Sequence, residues 1–192
     1  MENYLLMVVG AALVDNVLLI KLFGFGPLLG GARRLETALN IGLVATFNLT
    51  LLSGICYLIN EYILVRYEIE FLRVLIYLAL IVTCWVLSER YFSRLNPVLK
   101  SSLGIYLPLA SVNSAVLGVP LILAQEQVNF FESIFYGFGY GIGFTFVLII
   151  FSALRERLEV AEVPAAFRGD AILLVTAGMM SLAFLGFIGL VK

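Results

Sequence analysis

Six apolar runs, at about 4–23, 37–59, 71–88, 101–124, 131–154 and 171–191, take up most of this 192-residue chain. Each is long enough to cross a bilayer, which takes roughly 20 apolar residues in a helix. A helix is forced on such a run because amides and carbonyls in hydrocarbon have no water to bond and must bond one another. The remaining composition agrees: 62% of residues are hydrophobic, 13% are charged and the mean hydropathy is +1.06. The expected fold is an all-α integral membrane protein with six transmembrane helices. The connections are too short for a soluble domain, a nucleotide-binding module or a basic nucleic-acid face. The first run carries Glu2 and no Lys or Arg before it, so it reads as a retained helix, not a secretory leader.

Charge sets the orientation. Arg33, Arg34, Arg90, Arg94, Lys100, Arg155, Arg157 and Arg168 fall in the first, third and fifth connections, against Arg66, Arg73 and Lys192 on the other side. The positive-inside rule then makes the odd connections cytoplasmic and puts both termini outside. Lys21 is placed at the inner end of helix 1, where it can snorkel.

Two runs carry helix-breaking residues in matching places. "LFGFGPLLGG" at 22–31 and "PLASVNSAVLGVP" at 108–120 hold Gly24, Gly26 and Pro27 in one case and Pro108, Gly118 and Pro120 in the other, with Gly104 just upstream. Proline removes an amide donor and glycine weakens a helix interior. At membrane depth, such backbone persists only where protein, water or a bound group satisfies it. Three helices per half require a duplicated half to be inverted, as in many transport folds. The pair "VDNVLL" at 14–19 and "VNSAVL" at 112–117 hints at that duplication. Residues 1–99 would be the first three-helix repeat and 100–192 the second, inverted one, within one transmembrane domain, with helices 1 and 4 interrupted.

Further residues carry possible chemistry. Asp15, beside Asn16, lies near the middle of helix 1, where an ionised carboxylate costs at least about 2.5 kcal/mol. It reads either as part of a proton or cation path or as a carboxyl bonded to a neighbouring helix. "GFGYGIG" at 137–143 spaces glycines four apart, which suits close helix packing. Glu132 reads as a solvated charge at the outer end of helix 5. Arg155, Glu156, Arg157 and Glu159 read as a topology-setting cytoplasmic cluster that contacts soluble subunits. Cys56 and Cys84 read as buried small hydrophobes on opposite sides of the membrane, and the absence of histidine removes imidazole chemistry.

"RRLETA" at 33–38, "LGIYLPLASVNSAVLGV" at 103–119, "RERLEVAEVPAAFRGDAI" at 155–172 and "SLAFLGFIGLVK" at 181–192 closely resemble the A-type subunit of the Rnf (Rsx) electron-transport complex. A more distant likeness is to the E-type subunit of the sodium-translocating NADH:quinone reductase. The resemblance implies a membrane core subunit, without catalysis of its own, of an inner-membrane translocase that couples ferredoxin:NAD electron transfer to Na+ or H+ movement. It implies a homologous sister of opposite topology (the Rnf E type) and partners of the B, C, D and G types bearing flavin and iron–sulfur centres. It also implies a 2Fe-2S cluster shared with the sister, with no flavin or nucleotide on this chain. The family places the cluster cysteines at the positions occupied here by Gly26 and Ser114, flanked by Pro27 and Asn113. Glycine offers no ligand and a serine hydroxyl is a poor one for iron. The alternatives are a stand-alone secondary transporter with substrate at the paired breaks, and a structural subunit without a redox role.

Overall fold

A computed structural model describes residues 2–31, 34–95 and 110–187, and these are helical with no strand among them. Helix α1 (Glu2–Val9) widens into a π turn at Gly10–Val14. After a non-helical stretch, a second π turn spans Pro27–Gly31. Helix α2 (Leu35–Ile59) continues through a π turn at Asn60–Val65, and α3 (Arg73–Leu95) follows a 3-10 turn at Glu70–Leu72. Helices α4 (Ser114–Gln125), α5 (Phe130–Glu159) and α6 (Asp170–Leu185) complete the described chain. Among the described residues, three segments, Leu35–Val65, Glu70–Leu87 and Phe130–Glu159, are long and apolar enough to cross a membrane; Tyr4–Val14, Ser114–Gln125 and Asp170–Leu185 are shorter apolar helices.

Helix α5 extends five residues beyond the expected 154, and this extension carries Arg155 and Glu156 to the end of the first break. Glu132 at its other end is a cap: its Oε2 accepts the Asn129 amide at 2.9 Å. Arg33, Lys100, Lys192, Gly104, Pro108 and the boundary between the halves at 99/100 lie outside the described residues.

The most extensive packing is between α2 and α5, and it rests on a reciprocal device. Each helix carries a glycine four residues before a threonine, Gly42 and Thr46 on α2 and Gly141 and Thr145 on α5. A methyl group on Gly42 would lie 2.5 Å from Thr145, and one on Gly141 would lie 2.6 Å from the Thr46 backbone. The threonine of each helix thus fills the place of the side chain that the other helix lacks. The two hydroxyls meet at 2.9 Å, and each also reaches the glycine carbonyl of its own helix. The remaining glycines of "GFGYGIG" divide by face: Gly137 meets Ser53 and Leu49 of α2, while Gly139 and Gly143 meet Val8 and Ala12 of the first helix. Helix α5 is therefore the post against which both neighbours pack at backbone distance.

The cysteines correct an expectation. Cys56 and Cys84 are free and buried in one core, not on opposite sides of the membrane. Helix α3 runs on to Leu95, which puts Cys84 at its middle, not its inner end. Tyr77 of α3 reaches the Cys56 carbonyl at 3.4 Å.

Overpacking the shared seam has a calculable cost. Gly141→Val should destabilise the protein by about 1–3 kcal/mol, seen as a lower midpoint in thermal unfolding of the detergent-solubilised protein. Gly178→Ala, where nothing lies within 4 Å of the added carbon, should hold or slightly raise that midpoint, since glycine weakens a helix interior.

Candidate functional site

The first break begins earlier than its glycines and proline suggest. The helix stops at Val14, and Asp15 leaves helical geometry at φ −108° and ψ 43°. Asn16 explains why. Its Oδ1 accepts the amides of Leu18 and Leu19 at 3.0 and 3.2 Å, and its Nδ2 donates to the Ala12 carbonyl at 2.7 Å. An asparagine in this role offers the backbone an alternative to the helix ladder. The side chain is fully buried, and Gly143 has no side chain to crowd its amide.

The second break has the same construction. Ala110 and Ser111 are helical, the chain leaves helical geometry at Val112 and Asn113, and α4 starts at Ser114. Asn113 Oδ1 accepts the amides of Ala115 and Val116 at 2.9 and 3.2 Å, and Nδ2 donates to the Ala110 carbonyl at 2.8 Å. Asn16 and Asn113 thus each accept the amides two and three residues further on, Asn113 at the start of α4 and Asn16 at the start of a turn. Pro120 does not break its helix but lies inside α4, because one missing hydrogen bond is tolerated where a diverted backbone is not.

The two breaks meet. Gly24, at φ +82°, turns its amide towards Ser114, whose Oγ accepts it at 2.8 Å. A side chain at Gly24 would collide with Phe144, and one at Gly118 would collide with Phe23, so the loop of the first break lies directly on α4 and α5. Three further backbone groups are also matched. Ser181 of α6 donates to the Leu19 carbonyl at 2.8 Å, and Arg155 of α5 donates to the Leu29 carbonyl at 2.7 Å. Glu156 accepts the Leu35 amide at 3.1 Å, supplying from α5 the cap that α2 lacks at Arg34. Arg155 and Glu156 therefore anchor the end of the break, a role that their sequence pattern did not disclose.

Gly26 and Ser114 are exposed, Asn113 is half-buried and Pro27 is buried. The convergence is thus an outward-facing surface, not a closed cavity. Asp15 and Asn16 separate in role. Asn16 is consumed by backbone bonds, whereas the Asp15 carboxylate holds two side chains: Tyr140 Oη donates to Oδ2 at 2.9 Å, and Lys21 Nζ stands 3.2 Å from Oδ1. Lys21 turns back to Asp15 instead of reaching away to the interface. A continuous helix would put residues 15 and 21 on different faces; only the break joins them.

A family model described as "Rnf-Nqr subunit, membrane protein" matches residues 4–191. The chain belongs to this family. It is 47% identical to the A-type subunit of the ion-translocating oxidoreductase complex of Shewanella piezotolerans, 48% to that of Vibrio atlanticus and 47% to that of Vibrio cholerae serotype O1. Each match runs over 192 residues and covers both chains completely.

The Rnf-Nqr resemblance carries the expectation of a shared iron–sulfur cluster, and the residues at its positions do not fit one. Gly26 has no side chain. Ser114 offers a hard oxygen already engaged with the Gly24 amide. Among the described residues, no group of three or more His, Cys, Asp and Glu is placed to hold a metal ion. Cys56 and Cys84 are buried in the core, whereas Gly26 and Ser114 are exposed.

The Gly24–Ser114 bond is the test of the junction. Ser114→Ala leaves an unpaired amide, a loss of about 1–3 kcal/mol where water is scarce. Hydrogen–deuterium exchange across residues 16–26 should accelerate roughly tenfold or more, while exchange at the α2–α5 seam stays unchanged.

Proposed function

We propose that this chain is a membrane core subunit of an Rnf-type complex that couples electron transfer between ferredoxin and NAD to Na+ or H+ movement across the bacterial inner membrane. The observation that carries the reading is the match along both whole chains to subunits named for ion-translocating oxidoreductase complexes. On this reading the chain has six spans with both termini outside, and residues 1–99 and 100–192 are inverted copies. Two features support the duplication: the matching amide bonds of Asn16 and Asn113, and the reciprocal glycine–threonine contacts of α2 and α5, which map onto one another when the helices are exchanged.

The exposed junction supports a partner. Asn113, Ser114 and the Asp15–Lys21 pair present polar groups at membrane depth, and lipid tails are a costly neighbour for them. A sister membrane protein of opposite topology covers this face in the proposed assembly, and flavin- and iron–sulfur-bearing subunits of the B, C, D and G types complete it. No electron-transfer step is assigned to Gly26 or Ser114, since neither supplies a thiolate. The chain contributes the ion passage and the scaffold of the two breaks.

Affinity purification of the tagged chain from its own membranes should recover sister and flavoprotein subunits in fixed ratio. Recovery as a stable monomer, or ion or solute uptake by liposomes holding this chain alone, would count against the assignment. In the intact complex, Gly26→Cys with Ser114→Cys should add iron and an electron paramagnetic resonance signal that the unmodified complex lacks. An equal signal in both would show that these positions already hold a cluster.

A further inference from the structure

An ion pair stands within the first break, beside an apolar helix long enough to cross a bilayer. Tyr140 lies ten residues into α5, about 15 Å from the Phe130 end at 1.5 Å per residue. The Asp15 carboxylate bonded to it is therefore well inside a hydrocarbon layer about 30 Å thick. The carboxylate is neither buried nor bound to fixed partners on both oxygens. Its side chain is 37% exposed and that of Lys21 is 35% exposed. Tyr140 fixes Oδ2, and Oδ1 is held by an ammonium on a flexible four-carbon stem.

We infer that Lys21 is a tethered stand-in for the transported ion: a small monovalent cation binds at Asp15 Oδ1 by displacing the Lys21 ammonium, and the ammonium returns when the ion leaves. The inference rests on the reading of the chain as part of an ion-translocating complex. Its logic is charge balance. A lone carboxylate at this depth costs at least about 2.5 kcal/mol, so an ion site built on Asp15 needs a positive charge in both states. With the ion absent, Lys21 supplies it. With the ion bound, the lysine stem is long enough to carry its charge towards the interface, where such side chains are tolerated. Competition between the two cations keeps binding weak enough for release, as conduction requires. Asn16 is no ligand, because both ends of its amide serve the backbone. Tyr140 is a positioning residue that leaves Oδ1 facing the exchangeable cation.

The test uses inverted membrane vesicles containing the assembled complex, with electron transfer, radioactive sodium uptake and proton uptake by a pH-sensitive dye measured in parallel. The sodium and proton arms identify the ion. Lys21→Met should lower half-saturation by the ion about tenfold through loss of the competitor, and cut ions moved per electron to below about half through slow release. Lys21→Arg should retain most of the ratio, and Asp15→Asn should abolish ion dependence. Tyr140→Phe should weaken ion affinity severalfold. A purely structural pair would change assembly and leave the ratio and half-saturation of assembled complexes untouched; that result overturns the inference. Should Lys21→Met fail to assemble, Asp15→Asn with Lys21→Met removes both charges together, and retained coupling in that variant likewise overturns it. If the unmodified complex assembles but moves neither ion, the translocation reading itself fails and takes this inference with it. If the unmodified complex pumps and only the variants are silent on coupling, this inference alone falls.

Discussion

A backbone amide or carbonyl at bilayer depth has to be bonded by something, and this constraint shapes most of what surrounds the first helix. The stretch from Asp15 to Gly24 keeps only a few backbone bonds of its own, and side chains take over several of the groups it frees. Asn16 takes the amides of Leu18 and Leu19, Ser181 takes the Leu19 carbonyl, Ser114 takes the Gly24 amide and, further on, Arg155 takes the Leu29 carbonyl. Apart from Asn16, those partners come from α4, α5 and α6. The break is thus a point at which separate helices are required to meet, and the tertiary structure follows from satisfying it.

Close approach is the second condition, since short polar side chains reach only a few ångströms. Glycines provide it. Gly139 and Gly143 let the first helix lie against α5 at backbone distance, and Gly143 also leaves room for the Asn16 amide. Gly137 and Gly141 do the same for α2. Without those approaches Asn16 would have a larger neighbour in its place, and the cap that starts the break would have no space. Packing of the scaffold and chemistry of the break are therefore one arrangement.

The all-helical class, the interruption of two helices and the close packing of the glycine run were legible in the sequence because they depend on composition and short spacing. The position of each interruption was less so. Proline and glycine are conspicuous letters, yet the backbone turns at Asn16 and Asn113, whose side chains compete with the helix for hydrogen bonds. The partners of the break were hidden for another reason. Ser181 lies 162 residues from Leu19 and Arg155 lies 126 from Leu29, so no local pattern joins them. Tyr140 left the clearest unread signal, a lone phenol in a glycine run at membrane depth, where its hydroxyl needs a polar partner.

The pairing of Asp15 with Lys21 shows why a break differs from a kink. Six residues of helix would turn these side chains to different faces and separate them by about 9 Å along the axis. Unwinding brings them to 3.2 Å and yields a neutral pair from two charges that neither helix nor lipid would accommodate alone. The same unwinding frees one of the two from helical geometry. An ion pair formed across a rigid helix turn is a fixed stabilising contact. One formed across an unwound segment, with a flexible stem on one side and an exposed carboxylate oxygen on the other, is a contact that another cation can replace. Interruption of the helix thereby converts a cost of membrane burial into an exchangeable site, and it does so with residues that have no metal-binding signature in the sequence.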